Sequence, residues 1–296
     1  MSNETQTVTV PHLGSSIIGY KFGRSYNPDL PTLVMANSFS TSVELYRPQF
    51  VDEDLNKTVN LLAVEPYGHG ETRATYADFT YWDSAIANLQ VLEALNIPDA
   101  FALGTSQGGW IAARMAMLAP DTVKGIIPLG TSMDYESQRS RSLGCWDGVE
   151  FCTPAIDALA ETVGDDWVIR TELVDAVLAE GLGEDVDSET RSFWHTEHQR
   201  NYTGDAGRQR LRTISVNLRD RDGLLGRLDK VRCPVLWLQG TADRVYSVRN
   251  AEDEIGRYVN SANAELRVIE EGQHFLSATN PEVVNTAIVE FIKRWR

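Results

Sequence analysis

Gly104-Thr105-Ser106-Gln107-Gly108-Gly109 lies between an apolar run, Asp99–Leu103, and a helix-forming run, Trp110–Leu118. A strand that turns this abruptly into a helix crowds the residues on either side of the turn, and glycine tolerates the crowding because it has no Cβ. The serine at the apex is then held strained with its hydroxyl above the sheet. The helix N-terminus lies just behind it, where the free N–H of Gln107 can meet developing negative charge. A bare Gly-x-Ser-x-Gly pattern is common; its strand–turn–helix setting makes it specific.

The 296 residues suffice for one large α/β domain or two small ones. Three cysteines, Cys145, Cys152 and Cys233, form no disulfide framework or metal-ligand pattern and fit a reducing, cytoplasmic setting. The polar N-terminus carries no apolar signal segment, no run approaches membrane-spanning length, and Asn-x-Ser/Thr matches at Asn3, Asn56 and Asn201 mean little without secretion. A net charge of −15 leaves no basic face for nucleic acid. A small-molecule partner is expected, without membrane or nucleic acid, and a homo-oligomer is compatible with the sequence.

Thr5–Val10 and Ser15–Phe22 alternate around a turn and read as an antiparallel hairpin. Pro31–Ala36 and Val59–Val64 are short continuous apolar runs, as in strands buried on both faces. Helices are expected over Val43–Val51 and Tyr81–Leu95, and a strand over Val123–Leu129 whose proline suggests a strand end or bulge. From Ser132 to about Leu228 no buried strand is evident. Amphipathic segments replace it, at Ala155–Val163, Trp167–Leu182, Glu189–Tyr202 and Ala206–Leu218. Strands Pro234–Gln239 and Ala264–Ile269 then alternate with helices Val248–Tyr258 and Pro281–Trp295. The expectation is α/β: a mostly parallel eight-stranded sheet with helices on both faces, formed by residues 1–131 and 229–296, with a helical cap inserted at 132–228.

A serine hydroxyl needs a base, and the base needs a group to orient it. His274, directly after the last strand, fits the base, because loops at the C-terminal strand ends share one sheet edge with Ser106. His69, flanked by glycines, reads as a loop builder; His195 and His198 read as a solvated helix face. Asp243, after the Pro234–Gln239 strand, gives the chain order Ser106, Asp243, His274. Asp134 and Glu136, one strand earlier, are alternative acids. The second oxyanion donor is expected after the third strand, at Phe39 or else Ser38.

These segments resemble the α/β-hydrolase fold over nearly the whole chain. Gly-Thr-Ser106-Gln-Gly-Gly resembles that superfamily's nucleophile elbow, Gly240-Thr-Ala-Asp243 its acid loop and Gly272-Gln-His274-Phe its histidine loop. Glu65-Pro-Tyr-Gly-His-Gly resembles an Asp-x-x-Gly-His-Gly loop, with Glu for Asp. Asn37-Ser38, where many members carry His-Gly, is similar to 3-oxoadipate enol-lactonases, although Phe39-Ser40-Thr41 replaces their Leu-Gly-Thr. Fungal lactonases that open macrocyclic polyketide lactones have a similar layout and take a glutamate after the sixth strand as acid, which keeps Glu136 in play.

The resemblance implies a cofactor-free and metal-free serine hydrolase with a lid, acting on a small or medium ester, lactone or thioester, in secondary or aromatic-compound metabolism. Aromatic residues of the insertion, among them Trp146, Trp167, Phe193 and Trp194, are candidates to line the pocket. Carbon–carbon bond hydrolysis on the same scaffold, or a silent ligand-binding protein, are the competing readings. Epoxide hydrolases and haloalkane dehalogenases fit less well, since those relatives carry aspartate at the elbow.

Overall fold

The computed structural model describes residues 4–296; Asn3, the first of the Asn-x-Ser/Thr matches, lies outside them. Eight strands form one sheet: β1 (Gln6–Val10), β2 (Ser16–Phe22), β3 (Thr32–Ala36), β4 (Asn60–Val64), β5 (Ala100–Thr105), β6 (Val123–Leu129), β7 (Val235–Gly240) and β8 (Ala264–Ile269). Their order across the sheet is β1-β2-β4-β3-β5-β6-β7-β8. β1 and β2 pair antiparallel, as does β2 with β4, and every pairing from β4 to β8 is parallel. This is the α/β-hydrolase fold. Every residue of β3, β4, β5 and β7 is buried. That two-sided burial is why these strands read as unbroken apolar runs.

Alternate side chains divide between two cores. Leu33, Met35, Leu103, Ile127 and Leu238 point to a layer closed by Ile288 and Phe291 of the Pro281–Trp295 helix. Val34, Ala36, Leu62 and Ile126 point to the opposite layer, closed by the Tyr81–Ala94 and Gln107–Leu118 helices. The first of those helices starts at a capping box, Thr80 with Asp83, and its chain reverses at Asn96 in a left-handed conformation (φ 56°).

Some element bounds differ from those expected. The Val43–Val51 helix is a 3₁₀ turn, Val43–Tyr46, followed by a separate helix, Arg47–Val51. Pro48 has no N–H to carry one ladder through both, but it is well placed in the first turn of a new helix. Pro128 is the last residue but one of β6, close to the strand end its type suggested, and it sits between two partner strands. β6 and β7 are in register only at Ile126↔Val235 and Leu129↔Leu238, with the missing proline N–H falling between. The Val248 helix stops at Ile255, before Gly256.

Between β6 and β7 the chain is helical: Gln138–Ser142, Gly148–Ala158, Thr171–Leu182, Ser188–Asn201 and Gly204–Asp220. No helix of the described residues is long and apolar enough to cross a membrane.

Candidate active site

Ser106 ends β5 and begins the Gln107–Leu118 helix, with φ 55° and ψ −118°. An L-residue rarely holds this conformation, and here the surroundings fix it. Its N–H donates to the Leu129 carbonyl (2.8 Å), and its carbonyl accepts from Thr131 Oγ1 (2.8 Å) and from the Gly109 N–H (2.9 Å). The two glycines of the motif are required by contact. A Cβ on Gly104 would lie 1.9 Å from the Gly108 carbonyl carbon, and one on Gly108 would lie 2.0 Å from the Ala36 carbonyl oxygen.

His274 follows β8, and Asp243 follows β7. Nδ1 of His274 lies 3.1 Å from both carboxylate oxygens of Asp243. A carboxylate only accepts, so Nδ1 carries the proton and Nε2 is left as a base. The Asp243 side chain is fully buried. It also accepts from the Val245 N–H (2.8 Å), the Tyr246 N–H (2.9 Å) and Gln239 Nε2 (2.8 Å). The two loops sit on a second glycine contact: a Cβ on Gly240 would lie 2.0 Å from the Gly272 carbonyl oxygen.

Asp134 and Glu136 are engaged elsewhere. Glu136 pairs with Arg221 (2.6 Å) and accepts the Gly148 N–H (2.9 Å). Asp134 accepts from Ser137 Oγ (2.6 Å) and Arg139. The insertion's path turns both carboxylates toward its own base, so neither reaches His274.

Ser106, His274, Ser38 and Phe39 line one cavity, whose remaining wall is mostly apolar. Trp146 belongs to that wall, beside Phe151 at a ring separation of 4.7 Å. The other three cap aromatics do not. Trp194 is buried against Phe193 and His198. Phe193 lies under the Arg47 guanidinium (4.6 Å), and Trp167 lines a separate groove on the cap. Aromatic content marks out residues 132–228 as a group, but it carries no direction. Val177, Glu180, Gly181 and Leu218, which do line the cavity, had no distinguishing signal in the sequence.

Among the described residues, the N–H groups of Phe39 and Gln107 donate to no protein acceptor. The Gln107 side chain is fixed behind them. Its Oε1 accepts from Tyr81 Oη (3.1 Å), and its Nε2 donates to the Asn37 carbonyl (3.3 Å) and to His69 Nε2 (2.9 Å). His69 Nδ1 donates to the Tyr67 carbonyl (2.9 Å), so Nε2 is an acceptor and the ring is neutral. Burial lowers its pKa to about 4.

His198 is not on a solvated face. It is buried and neutral, with burial lowering its pKa to about 4, and its Nε2 lies 3.0 Å from Ser40 Oγ. Trp194, Glu197, His198 and Asn201 form a buried stripe at helical spacing. Because most of that stripe is polar, a search for apolar periodicity passes over it. His195 is paired at the cap surface with Asp175 (2.9 Å).

Glu65, the departure from Asp-x-x-Gly-His-Gly, is buried and accepts the N–H groups of Glu71 (2.6 Å) and Val43 (3.3 Å). Desolvation outweighs both donors and raises its pKa from 4.5 to about 7. The folded value lies above the unfolded one. Its stabilising contribution is therefore complete below pH 4.5 and lost as pH rises through 7, in total on the order of 3 kcal/mol. Glu65→Gln should flatten the fall in melting temperature between pH 5 and pH 8, measured by thermal melts; an unchanged slope would place the titration elsewhere. Glu254, also raised to about 7, acts in the same sense, while His69 and His198 act in the opposite one, costing stability as pH falls from 6.5 toward 4.

A serine on a strand–helix elbow, a histidine held by a buried aspartate and a mostly parallel sheet define an α/β hydrolase. Residues 32–279 match the serine aminopeptidase S33 family, and the chain belongs to it. It is 24% identical over 288 residues to the uncharacterized hydrolase YugF of Bacillus subtilis strain 168, covering 90% of this chain and 92% of that one. It superposes on the enol-lactonase of Burkholderia xenovorans LB400 with a TM-score of 0.77 at 18% identity, covering 97% of this chain and 100% of that one. An esterase of Exiguobacterium antarcticum gives a TM-score of 0.78 at 17% identity, covering 97% and 100%. At these identities the structural likeness speaks for the fold.

Proposed function

We propose that the protein is a serine hydrolase cleaving a small or medium carboxylic ester, lactone or thioester through an acyl-enzyme on Ser106, without a cofactor. The observation that carries this reading is the double contact of His274 Nδ1 with Asp243, in a cavity that Ser106 also lines. That contact leaves Nε2 free to take the Ser106 proton as Oγ attacks the substrate carbonyl. The N–H groups of Gln107 and Phe39 accept the charge that develops on the carbonyl oxygen. His274 returns the proton to the leaving oxygen or sulfur, then deprotonates the water that releases the acid. Asp243 holds the tautomer and stabilises the imidazolium at each step. The esterase and enol-lactonase among the structural neighbours favour this substrate range.

The test is turnover of a panel of p-nitrophenyl esters and lactones by wild type and Ser106→Ala. Activity on the panel that requires Ser106 supports the reading.

In this reading residues 132–228 are a lid, and Trp146 is its contact with the acyl group. Trp146→Ala should raise KM and shift preference among acyl chain lengths by about tenfold, with the reaction type unchanged. A chain-length profile identical to that of wild type would remove Trp146 from the pocket.

A further inference from the structure

Phe39 belongs to a loop, residues 37–42, that is held on one side by the core and on the other by the cap. From the core, His69 Nε2 accepts the Ser40 N–H (3.1 Å), while within the loop Asn37 Nδ2 donates to the Thr41 carbonyl (2.9 Å). From the cap, His198 Nδ1 is committed to the Trp194 carbonyl (2.8 Å), so its Nε2 accepts, and Ser40 Oγ is the donor across 3.0 Å. One turn of the same helix supplies a second grip: Ser42 Oγ donates to Glu197 Oε2 (2.9 Å). Ser40 has φ 57°, a conformation a serine holds only when its surroundings impose it. Ser40, the residue after Phe39, is thus held at its N–H by one histidine from the core and at its hydroxyl by one from the cap. The Tyr202 hydroxyl, at the end of the same cap helix, reaches the Gly68 carbonyl in the His69 loop (3.3 Å).

We propose that His198 is a positioning residue for catalysis: through Ser40 it sets the place of the Phe39 N–H, so that seating of the cap and stabilisation of the oxyanion are one event. This rests on the reading of Phe39 as an oxyanion donor. It assigns the Ser188–Asn201 helix a part in transition-state binding in addition to covering the pocket.

The experiment compares His198→Ala, Ser40→Ala and the double variant in full-length protein, with His198→Gln as the conservative replacement that keeps an acceptor near Nε2. Each alanine variant should lose about tenfold to a hundredfold in kcat on the best ester of the panel, with KM within about twofold of wild type; a complete loss of one oxyanion donor costs about 10² to 10³. Affinity for a boronic acid, which forms a tetrahedral adduct with the nucleophile, should fall in step with kcat. The double variant should lose no more than the worse single one, because both break the same bond. His198→Gln should recover most of the rate. Ser40→Ala removes one oxygen atom and is expected to fold, which thermal melting checks. Wild-type kcat in folded Ser40→Ala, or fully additive losses in the double variant, would overturn the coupling while Ser106→Ala remains inactive. Turnover surviving Ser106→Ala would instead sink the serine-hydrolase reading, and the coupling with it.

Discussion

Ser106→Ala is expected to abolish turnover, by about 10⁶ in kcat, the loss measured when the serine of a serine–histidine–aspartate set is removed. The alanine cannot form the acyl-enzyme, and His274 is left with no nucleophile to activate. The fold should be unaffected. The strained backbone at position 106 is fixed by its N–H to Leu129 and by Thr131 and Gly109 on its carbonyl. None of these bonds uses the hydroxyl. Steady-state kinetics with a thermal melt separate the two effects: a variant with normal melting and more than about a tenth of the wild-type rate would reject Ser106 as nucleophile.

Asp243→Asn should cost on the order of 10⁴ in kcat for a reason visible in its contacts. Oδ1 of Asp243 accepts two backbone N–H groups, and Oδ2 accepts from Gln239 Nε2. An asparagine keeps its oxygen on the backbone pair, which puts its amide nitrogen where Oδ2 was. That nitrogen faces two donors, Gln239 Nε2 and His274 Nδ1–H. The imidazole can relieve the clash by moving its proton to Nε2, and it is then no longer a base toward Ser106. Glu136→Gln and Asp134→Asn should change kcat far less, although Glu136→Gln also breaks a buried pair with Arg221 and should lower the melting temperature. A small effect of Asp243→Asn on kcat would move the acid elsewhere.

The parts legible in the sequence are those where local chemistry and global fold make the same demand. β3, β4, β5 and β7 are buried on both faces, so their runs are uninterrupted; the elbow needs glycine, so it has a motif. Short helices such as Glu53–Thr58, Gln138–Ser142 and Leu276–Thr279 span too few turns to show a period. Pro128 lies one residue before the end of β6, as the sequence suggested, but only the neighbouring strand reveals how the gap in pairing is tolerated. His198 was hidden for a different reason. Its burial is bought by hydrogen bonds to Ser40 and Trp194, and no apolar pattern records them. The aromatic residues of 132–228 stand out as a group, yet which of them faces the cavity depends on how each helix is rotated, and that is set by distant contacts.

The two glycine contacts, Gly104 on Gly108 and Gly240 on Gly272, bear on how such a chain can diverge. In the proposed reading, nucleophile, base and acid hang from loops registered by bare backbone, where even a methyl group would force strands and turns apart. Substitution cannot adjust these positions by degrees. Change is therefore kept out of these turns and left to side chains of the cavity wall such as Trp146, Phe151, Val177 and Leu218. On the proposed reading, such a chain can change what it accepts while the attacking oxygen stays where it is.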